Sequence, residues 1–428
     1  MSRYRRPVSH SFSQGMLYAA IGGALTLPAA VSAQEDPVRE LPSIEVQGTG
    51  PIDGYQANEA SSKKFTAPLL DTPRTVNVIP QELIKDRGAS SLQDVLRTTP
   101  GITLGSGEGG TPQGDRPFIR GYEASTDIFI DGIRDYARGS HETFNLESVE
   151  VIKGPSSAYT GRGGTGGSIN LVTKAPHLNN FFEGSAGYGI DSEYRITGDG
   201  NFAFTDSAAF RLNVMKMGGD MPGRDVVKFD RLGIAPSLAF GLGTPTRVTL
   251  SYSHIVNKDT PDWGIPFSNA ANPDRIRPIK VDRDNFYGRK NVDFRENKFD
   301  TATAMLEHDL NDKFTVRNTT RYGKSLNHYL YTRPSFDNCS AGVGGSCAAE
   351  DGDLQFTRAD RARYRKSESL VNQTDLFGSF QTGSLKHSVV MGFEFSKEEV
   401  SSKAVSGLPG GTLIHSGTLT LIVHIQPI

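Results

Sequence analysis

Apolar and polar residues alternate with a period of two along most of the chain, in two styles. Between residues 74 and 174 the alternating runs are short and mixed with helical spacing. From Phe181 they become long, regular and separated by turn residues, at 181–190, 194–204, 208–218, 230–242, 246–258, 298–310, 314–331, 364–380 and 385–403. The segment 246–254 is the clearest. Val248, Leu250 and Tyr252 fall on one face, and Thr249, Ser251 and Ser253 on the other. Phe210, Leu212 and Val214 alternate in the same way with Arg211 and Asn213. Such alternation predicts strands with one wet and one dry face, as in a transmembrane barrel or a soluble β-sandwich. Connection lengths separate the two. Every second connection is short, near 205–206, 243–244, 311–312 and 382–383, while 259–297 and 332–363 are long. Short turns at one end alternating with long loops at the other is an outer-membrane barrel rule. The expected architecture is therefore an N-terminal α/β domain followed by antiparallel transmembrane β-barrel strands.

The upstream segment, 65–176, reads as that α/β domain. Residues 74–79 are strand-like. Pro80 opens a short helix that runs through Arg87 and stops at Gly88. Ser90 with Gln93 predicts a capping box for a second helix, whose apolar face is Leu92, Val95 and Leu96. Residues 127–131 form a strand ending in an Asp131-Gly132 turn. The most informative stretch is 145–176. Val149 and Val151 alternate with Glu150 and Ile152, Gly154-Pro155 interrupts, and five glycines follow (Gly161, Gly163, Gly164, Gly166, Gly167) before Ile169, Leu171 and Thr173. Gly161, Gly163 and Gly166 match the spacing of a dinucleotide-binding loop. That loop must open a helix whose N-terminus holds the pyrophosphate, and here a β-branched alternating run follows instead. The stretch predicts strand, glycine segment, strand.

Composition narrows the class. The chain has 428 residues, a net charge of −2, 47 glycines and 36% hydrophobic residues. That balance gives no basic field for nucleic acid and suits turn-rich β structure. Residues 1–33 have the form of a secretory signal: Arg3, Arg5 and Arg6, an apolar run over 17–27, and Val31-Ser32-Ala33 as cleavage site. The run is too short to anchor the chain across a bilayer. Export favours a disulfide between Cys339 and Cys347; a metal pair would want neighbouring histidines, and two free thiols are the remaining alternative. No catalytic constellation is present. His141-Glu142 is not completed to H-E-x-x-H, and the nine histidines are not at metal-ligand spacing. Neither an enzyme, a cofactor nor a metal site is expected.

Six further motifs, in order, carry a resemblance: Asp71-Thr72-Pro73-Arg74, Leu92-Gln93-Asp94-Val95-Leu96, Pro100-Gly101-Ile102, Ile119-Arg120-Gly121-Tyr122, Phe129-Ile130-Asp131-Gly132 and Phe144-Asn145-Leu146-Glu147. With the 145–176 stretch they resemble the plug domain of TonB-dependent outer-membrane receptors, most closely the catecholate ferric-siderophore branch. The resemblance implies a signal peptide at 1–33, a periplasmic arm at 34–64, a plug at 65–176 and a partial barrel at 181–428, with 408–428 as an atypical tail. It implies a ferric siderophore as ligand and the bacterial outer membrane as location. It also implies that TonB, working with ExbB and ExbD, engages an extended TonB box of Leu41, Pro42, Ser43, Ile44, Glu45, Val46 and Gln47 by strand addition; composition alone reads those residues as linker. Arg120 and Arg162 stand where plug arginines anchor to barrel carboxylates. A family barrel has about 22 strands, whereas nine or ten are legible here. The expectation is that this chain by itself forms no working transporter, because open strand edges in lipid leave backbone groups unsatisfied.

Recognition chemistry concentrates in loops. The connection 259–297 combines Trp263 and Tyr287 with several arginines, and 358–366 places Arg358, Arg361, Arg363 and Arg365 beside Tyr364. Arginine with aromatics suits a planar anionic ligand such as a ferric tris-catecholate. The same basic loops equally suit lipopolysaccharide phosphates at the outer-membrane lipid surface, or plain solvation. Plug loops 105–116 and 134–141 add Arg116, Arg134, Tyr136 and Arg138, so the candidate ligand residues are these four with Trp263 and Tyr287. Haem is disfavoured by the absence of a Phe-Arg-Ala-Pro motif. Cobalamin, metal chelates and oligosaccharides stay open, as does a siderophore-binding module without transport.

Overall fold

A computed structural model of the chain describes residues 52–106, 114–137, 139–155, 164–265, 282–335, 357–405 and 413–426. The signal segment, the box at 41–47, Arg138, Arg162, Cys339 and Cys347 lie outside the described residues.

After a two-strand ribbon of β1 (Ile52–Asp53) and β2 (Gln56–Ala57), the plug runs β3 (Thr75–Pro80), α1 (Gln81–Asp86), α2 (Leu92–Leu96), β4 (Ile102–Leu104), β5 (Pro117–Ile119), β6 (Tyr122–Glu123), β7 (Ile128–Ile130), β8 (Ile133–Arg134), β9 (Leu146–Lys153) and β10 (Gly167–Thr173). Five strands form one sheet in the order β3-β9-β10-β7-β8, and β4-β5-β6 form a small second sheet. The two central plug strands flank the glycine stretch. β9 and β10 pair antiparallel across it, Gly167 opposite Lys153. Gly167 has φ of 143° and Gly154 of 95°, and a Cβ on Gly167 would run into the Ile152 carbonyl oxygen. Only glycine fits there. Beneath the sheet, Leu92, Val95 and Leu96 of α2 pack with Ile119, Val149, Val151, Ile169 and Leu171 in one core.

Helix α2 begins one residue later than the sequence suggested. Its N-cap is Ser91, whose Oγ accepts from the Asp94 N–H at 3.3 Å while Asp94 accepts from the Ser91 N–H at 3.2 Å. The Ser90 carbonyl is engaged instead by the Thr143 N–H at 3.2 Å. The tertiary contact decides which serine caps.

The wall is a single ten-strand meander: β11 (Phe181–Tyr188), β12 (Tyr194–Thr205), β13 (Ala208–Asp220), β14 (Lys228–Phe240), β15 (Thr246–Asp259), β16 (Phe294–Asn311), β17 (Phe314–Ser335), β18 (Thr357–Thr382), β19 (Leu385–Val405) and β20 (Leu413–Gln426), each antiparallel to the next. Residues 413–426 thus continue the sheet against β19, where the sequence reading ended it near 408. Leu419, Leu421, Val423 and Ile425 supply the alternation that reading passed over.

Burial across the wall is inverted relative to a soluble protein. Asp199, Asn201, Arg211, Asn213, Asn297, Arg321, Gln373, Asp375 and Glu394 are buried on the face that meets the plug. Ile196, Phe202, Leu232, Leu250, Tyr322, Leu370, Phe393 and Phe395 stand exposed on the other. A sandwich would bury the apolar face, so this is the apolar-out, polar-in wall of a transmembrane barrel. Among the described residues no helix is long and apolar enough to cross a membrane.

Candidate functional site: the plug seam and the external rim

Two regions carry organised polar chemistry, the seam where plug meets wall and the long-loop end above it.

At the seam ion pairs run both ways: wall arginines reach plug acceptors, and plug lysines Lys85 and Lys174 reach Glu183 and Asp199 of the wall. Arg231 on β14 contacts Glu142 at 2.8 Å, and the Glu142 side chain is wholly buried. Arg321 on β17 donates to the Ile130 carbonyl at 2.6 Å and lies 3.2 Å from Asp131. Arg211 on β13 makes a bidentate pair with Asp199 at 2.9 Å and donates to the Ala175 carbonyl at 2.9 Å. Lys174 closes the group, bonding Asp199 at 2.9 Å and the Phe144 carbonyl at 3.0 Å. Burial raises Glu142 against the lowering pull of Arg231, and burial lowers Lys174 despite Asp199. Apolar contacts reinforce the seam. Phe144 sits among Met215, Met217 and Ala235, with its ring 2.6 Å from where a Cβ on Gly233 would stand.

Arg120, expected as an anchor of this kind, is exposed, with φ of 52°. Among the described residues it makes no ion pair with a wall carboxylate. Among the described residues the seam arginines belong to the wall, and the plug cations that reach wall carboxylates are lysines.

Sequence reasoning missed His141. Its ring lies between two carboxylates, Nδ1 at 2.7 Å from Asp115 and Nε2 at 3.0 Å from Asp135, and its backbone N–H donates to Asp115 at 2.9 Å. Burial alone would lower its pKa, but the two carboxylates together raise it to about 10. The ring is an imidazolium clamp joining Asp115, at the end of loop 105–116, to Asp135 of loop 134–141. The one sequence signal was His141 beside Glu142, which fits no catalytic spacing and so drew no weight. Asp135, His141, Glu142 and Arg321 also line a cavity of about 100 Å³ between plug and wall.

At the external end, Trp263 stacks on Tyr331 with ring centroids 5.6 Å apart, Tyr331 stacks on Tyr329 at 5.4 Å, and the Arg333 guanidinium lies 6.0 Å from the Trp263 ring. The strand register sets Tyr329 opposite Arg363 and Tyr331 opposite Arg361. Aromatic and cationic side chains therefore alternate across β17 and β18 on the lumen face. Tyr364 does not join them. It lies one residue out of phase, edge-on to His328 at 5.2 Å on the outer face. A one-residue step changes face in a strand, which a composition-based grouping cannot see.

The remaining candidates divide. Arg116 forms a two-pronged pair with Glu123 at 3.1 and 3.0 Å and stays half-exposed. Arg134 is committed inside the plug, to Asp127 at 3.1 Å, to the Thr126 carbonyl and over the Phe129 ring at 5.0 Å. Tyr136 is buried against Ile133 and Val371. The Tyr287 hydroxyl donates to the Asp282 carbonyl at 2.7 Å. The structure thus gathers Trp263 with Tyr329, Tyr331 and Arg333, and does not bring Arg134 or Tyr136 to them.

A small α/β domain pinned to the polar face of an apolar-out antiparallel wall is the construction of an outer-membrane β-barrel receptor. A family profile for the TonB-dependent receptor plug domain matches residues 68–168. The chain is 43% identical over 391 residues to the probable TonB-dependent receptor BfrD of Bordetella pertussis, covering 91% of this chain and 50% of BfrD. The solved structure of the siderophore receptor PiuA from Acinetobacter baumannii aligns with TM-score 0.75 and 36% identity over 86% of this chain and 56% of PiuA. The closed form of the ferric-catecholate import receptor Fiu from E. coli K12 aligns with TM-score 0.76 and 37% identity over 87% of this chain and 52% of Fiu. The chain belongs to the TonB-dependent receptor family, whose members are β-barrels of the outer membrane with the plug toward the periplasm, and it spans about half the length of the relatives it matches.

Proposed function

We propose that the chain provides the plug and part of the wall of a receptor that takes up a ferric siderophore of the catecholate type, and that the ligand is received at the lumen face of β17 and β18. The single observation that carries this is the Trp263–Tyr331–Tyr329 stack interleaved with Arg333, Arg361 and Arg363. Catecholate rings stack on aromatic faces, and the anionic ferric complex draws guanidinium groups. The relatives PiuA, a siderophore receptor, and Fiu, a ferric-catecholate import receptor, support the same ligand class. The half-exposed Arg116 at the plug apex is a second contact from below. Release is driven by TonB, with ExbB and ExbD, pulling on residues 41–47. The outward face meets outer-membrane lipid and lipopolysaccharide.

Trp263 is the chain's single tryptophan, so binding is readable in its own fluorescence. A ferric tris-catecholate added to the full chain refolded in detergent is expected to quench Trp263, and Tyr331→Ala with Arg333→Gln to weaken that binding about tenfold or more, as removal of a stacked, charge-assisted pair does. Equal quenching by a neutral ferric hydroxamate would overturn the assignment. In a full-length relative, deleting the segment equivalent to 41–47 is expected to abolish iron uptake while leaving ligand binding intact. Normal uptake would remove the proposed energising step.

A further inference from the structure

Both ends of the long connection between β15 and β16 are held by one side chain from a different loop. Arg224 lies in the turn between β13 and β14. Its Nε and Nη2 fork onto the Asp262 carboxylate at 2.7 and 3.0 Å, beside Trp263, and its Nη1 donates to the Arg283 carbonyl at the other end of the connection. The Asp225 N–H adds a bond to the Asp284 carbonyl at 2.6 Å. Asp262 Oδ1 also accepts from the Gly264 N–H at 2.9 Å, so Asp262 and Gly264 bracket Trp263 in a closed turn. The backbone around Arg224 is itself constrained. Val226 has φ of 69°, a left-handed conformation that a β-branched residue holds only when its surroundings impose it. The Arg224 and Asp262 side chains keep 13% and 15% of their exposure, so this is a shielded two-pronged pair and not a surface ion pair of little consequence.

We infer that Arg224 is a positioning residue for ligand reception: it fixes the turn 262–264 so that the Trp263 ring is stacked on Tyr331 before any ligand arrives. The inference rests on the Trp263–Tyr331–Tyr329 stack being the receiving face. Trp263 lies outside the strands, so the ladder that orders Tyr329 and Tyr331 on β17 does not set its place. The Arg224–Asp262 fork does. The three nitrogens of Arg224 are all engaged by protein acceptors, which separates it from arginines that would meet the ligand. The pair has a second consequence. A bare carboxylate one residue from the stacking ring would repel an anionic complex, and the guanidinium cancels that charge. Arg224 therefore acts through order and charge balance. With the turn ordered beforehand, less affinity is lost to ordering it at binding.

The test uses the full chain refolded in detergent and reads Trp263, its single tryptophan. Without ligand, Arg224→Gln is expected to lower the fluorescence anisotropy of Trp263 and to raise its quenching by acrylamide, with the urea unfolding midpoint unchanged. Asp262→Asn keeps an acceptor for Gly264 but loses the ionic fork, and should change Trp263 in the same way. The double variant should be no worse than the larger single effect, because the two side chains act as one unit. With ferric tris-catecholate, Arg224→Gln should bind about threefold to tenfold more weakly, yet reach the wild-type extent of quenching at saturation, since no contact is removed. Arg224→Lys keeps the charge without the fork, so it should loosen Trp263 but lose less affinity than Arg224→Gln. Unchanged anisotropy and acrylamide quenching in a folded Arg224→Gln or Asp262→Asn variant overturns the proposal, as do single effects that add. If one of these variants does not fold, the other decides. Failure of ferric catecholate to quench wild-type Trp263 would sink the ligand assignment alone, because the ligand-free readings decide the role of Arg224 by themselves.

Discussion

Removing Arg231 should loosen the plug from its wall more than removing any exposed charge would. Its guanidinium meets Glu142 at 2.8 Å, and the Glu142 side chain has no solvent exposure. Glu142 also forms an isolated strand bridge with Ser91, the N-cap of α2, so this contact ties the start of a plug helix to β14. Arg231→Met strands a buried carboxylate, an effect of roughly 3–5 kcal/mol. Glu142→Gln keeps an acceptor without the charge and should cost about 1–2 kcal/mol. Arg231→Met with Glu142→Leu removes both charges and should return to within ~1 kcal/mol of the wild type, a coupling of at least ~2 kcal/mol. The assay is urea unfolding of the refolded chain, with hydrogen exchange over 139–146 as the local reading. The pH dependence has a defined sign. Burial raises the Glu142 pKa, so the stability it contributes is fully present below the ordinary carboxylate range and is lost as pH rises through the raised value. The Arg231→Met deficit should therefore shrink on acidification. Single-variant effects that simply add, to within ~0.5 kcal/mol, would refute the buried-pair reasoning.

His141 has the opposite charge and the same sign of dependence. Its pKa is raised from 6.5 to about 10, so its contribution is fully present below 6.5 and lost as pH rises through about 10. Exchange protection around Asp115 and Asp135 should fall with rising alkalinity in the wild type, and His141→Gln should abolish that slope; an unchanged slope contradicts the clamp. Gly167→Ala forces a Cβ toward the Ile152 carbonyl at a φ of 143° and should cost ~2 kcal/mol or more in unfolding free energy. A neutral result there would mean that the β9–β10 junction tolerates a different path.

The wall was the more legible part of this molecule in sequence, because a period of two survives whatever the neighbours do. Val248, Leu250 and Tyr252 keep their phase because one face must be apolar along its whole height. The plug strands were legible through their glycine punctuation, and Gly154 and Gly167 stand at positive φ because the β9–β10 junction needs it. The candidate site was less legible, for reasons of register. Trp263 was visible as a lone tryptophan in a basic loop, but its partners Tyr329 and Tyr331 lie in strand β17 and were read as wall. Tyr364 was grouped with arginines one residue away that face the other side. Arg134 carries no sequence mark of its commitment to Asp127 and Phe129, since both contacts depend on the β7–β8 turn folding back.

By register most wall arginines take lumen positions and most wall lysines outward ones, and that bias links these readings. Inside, a cation must hold a fixed plug acceptor through a geometry that excludes water. The planar fork does so at Arg211, which spans Asp199 with two bonds and reaches the Ala175 carbonyl with a third group. Outside, the cations meet single neighbouring carboxylates, as Lys216 meets Asp230 and Lys397 meets Glu399, and no plug acceptor asks for a planar fork. A lysine there can bury its stem against Tyr322 or Leu370 and carry its charge upward into the headgroups. The two cations are thus placed by the two different tasks of one strand: to hold a domain still on one face, and to meet a fluid surface on the other. Exchanging them tests this directly. Arg211→Lys should weaken the seam by leaving one of its three acceptors unmatched, whereas Lys324→Arg, beside exposed Glu368, should leave stability unchanged in urea unfolding.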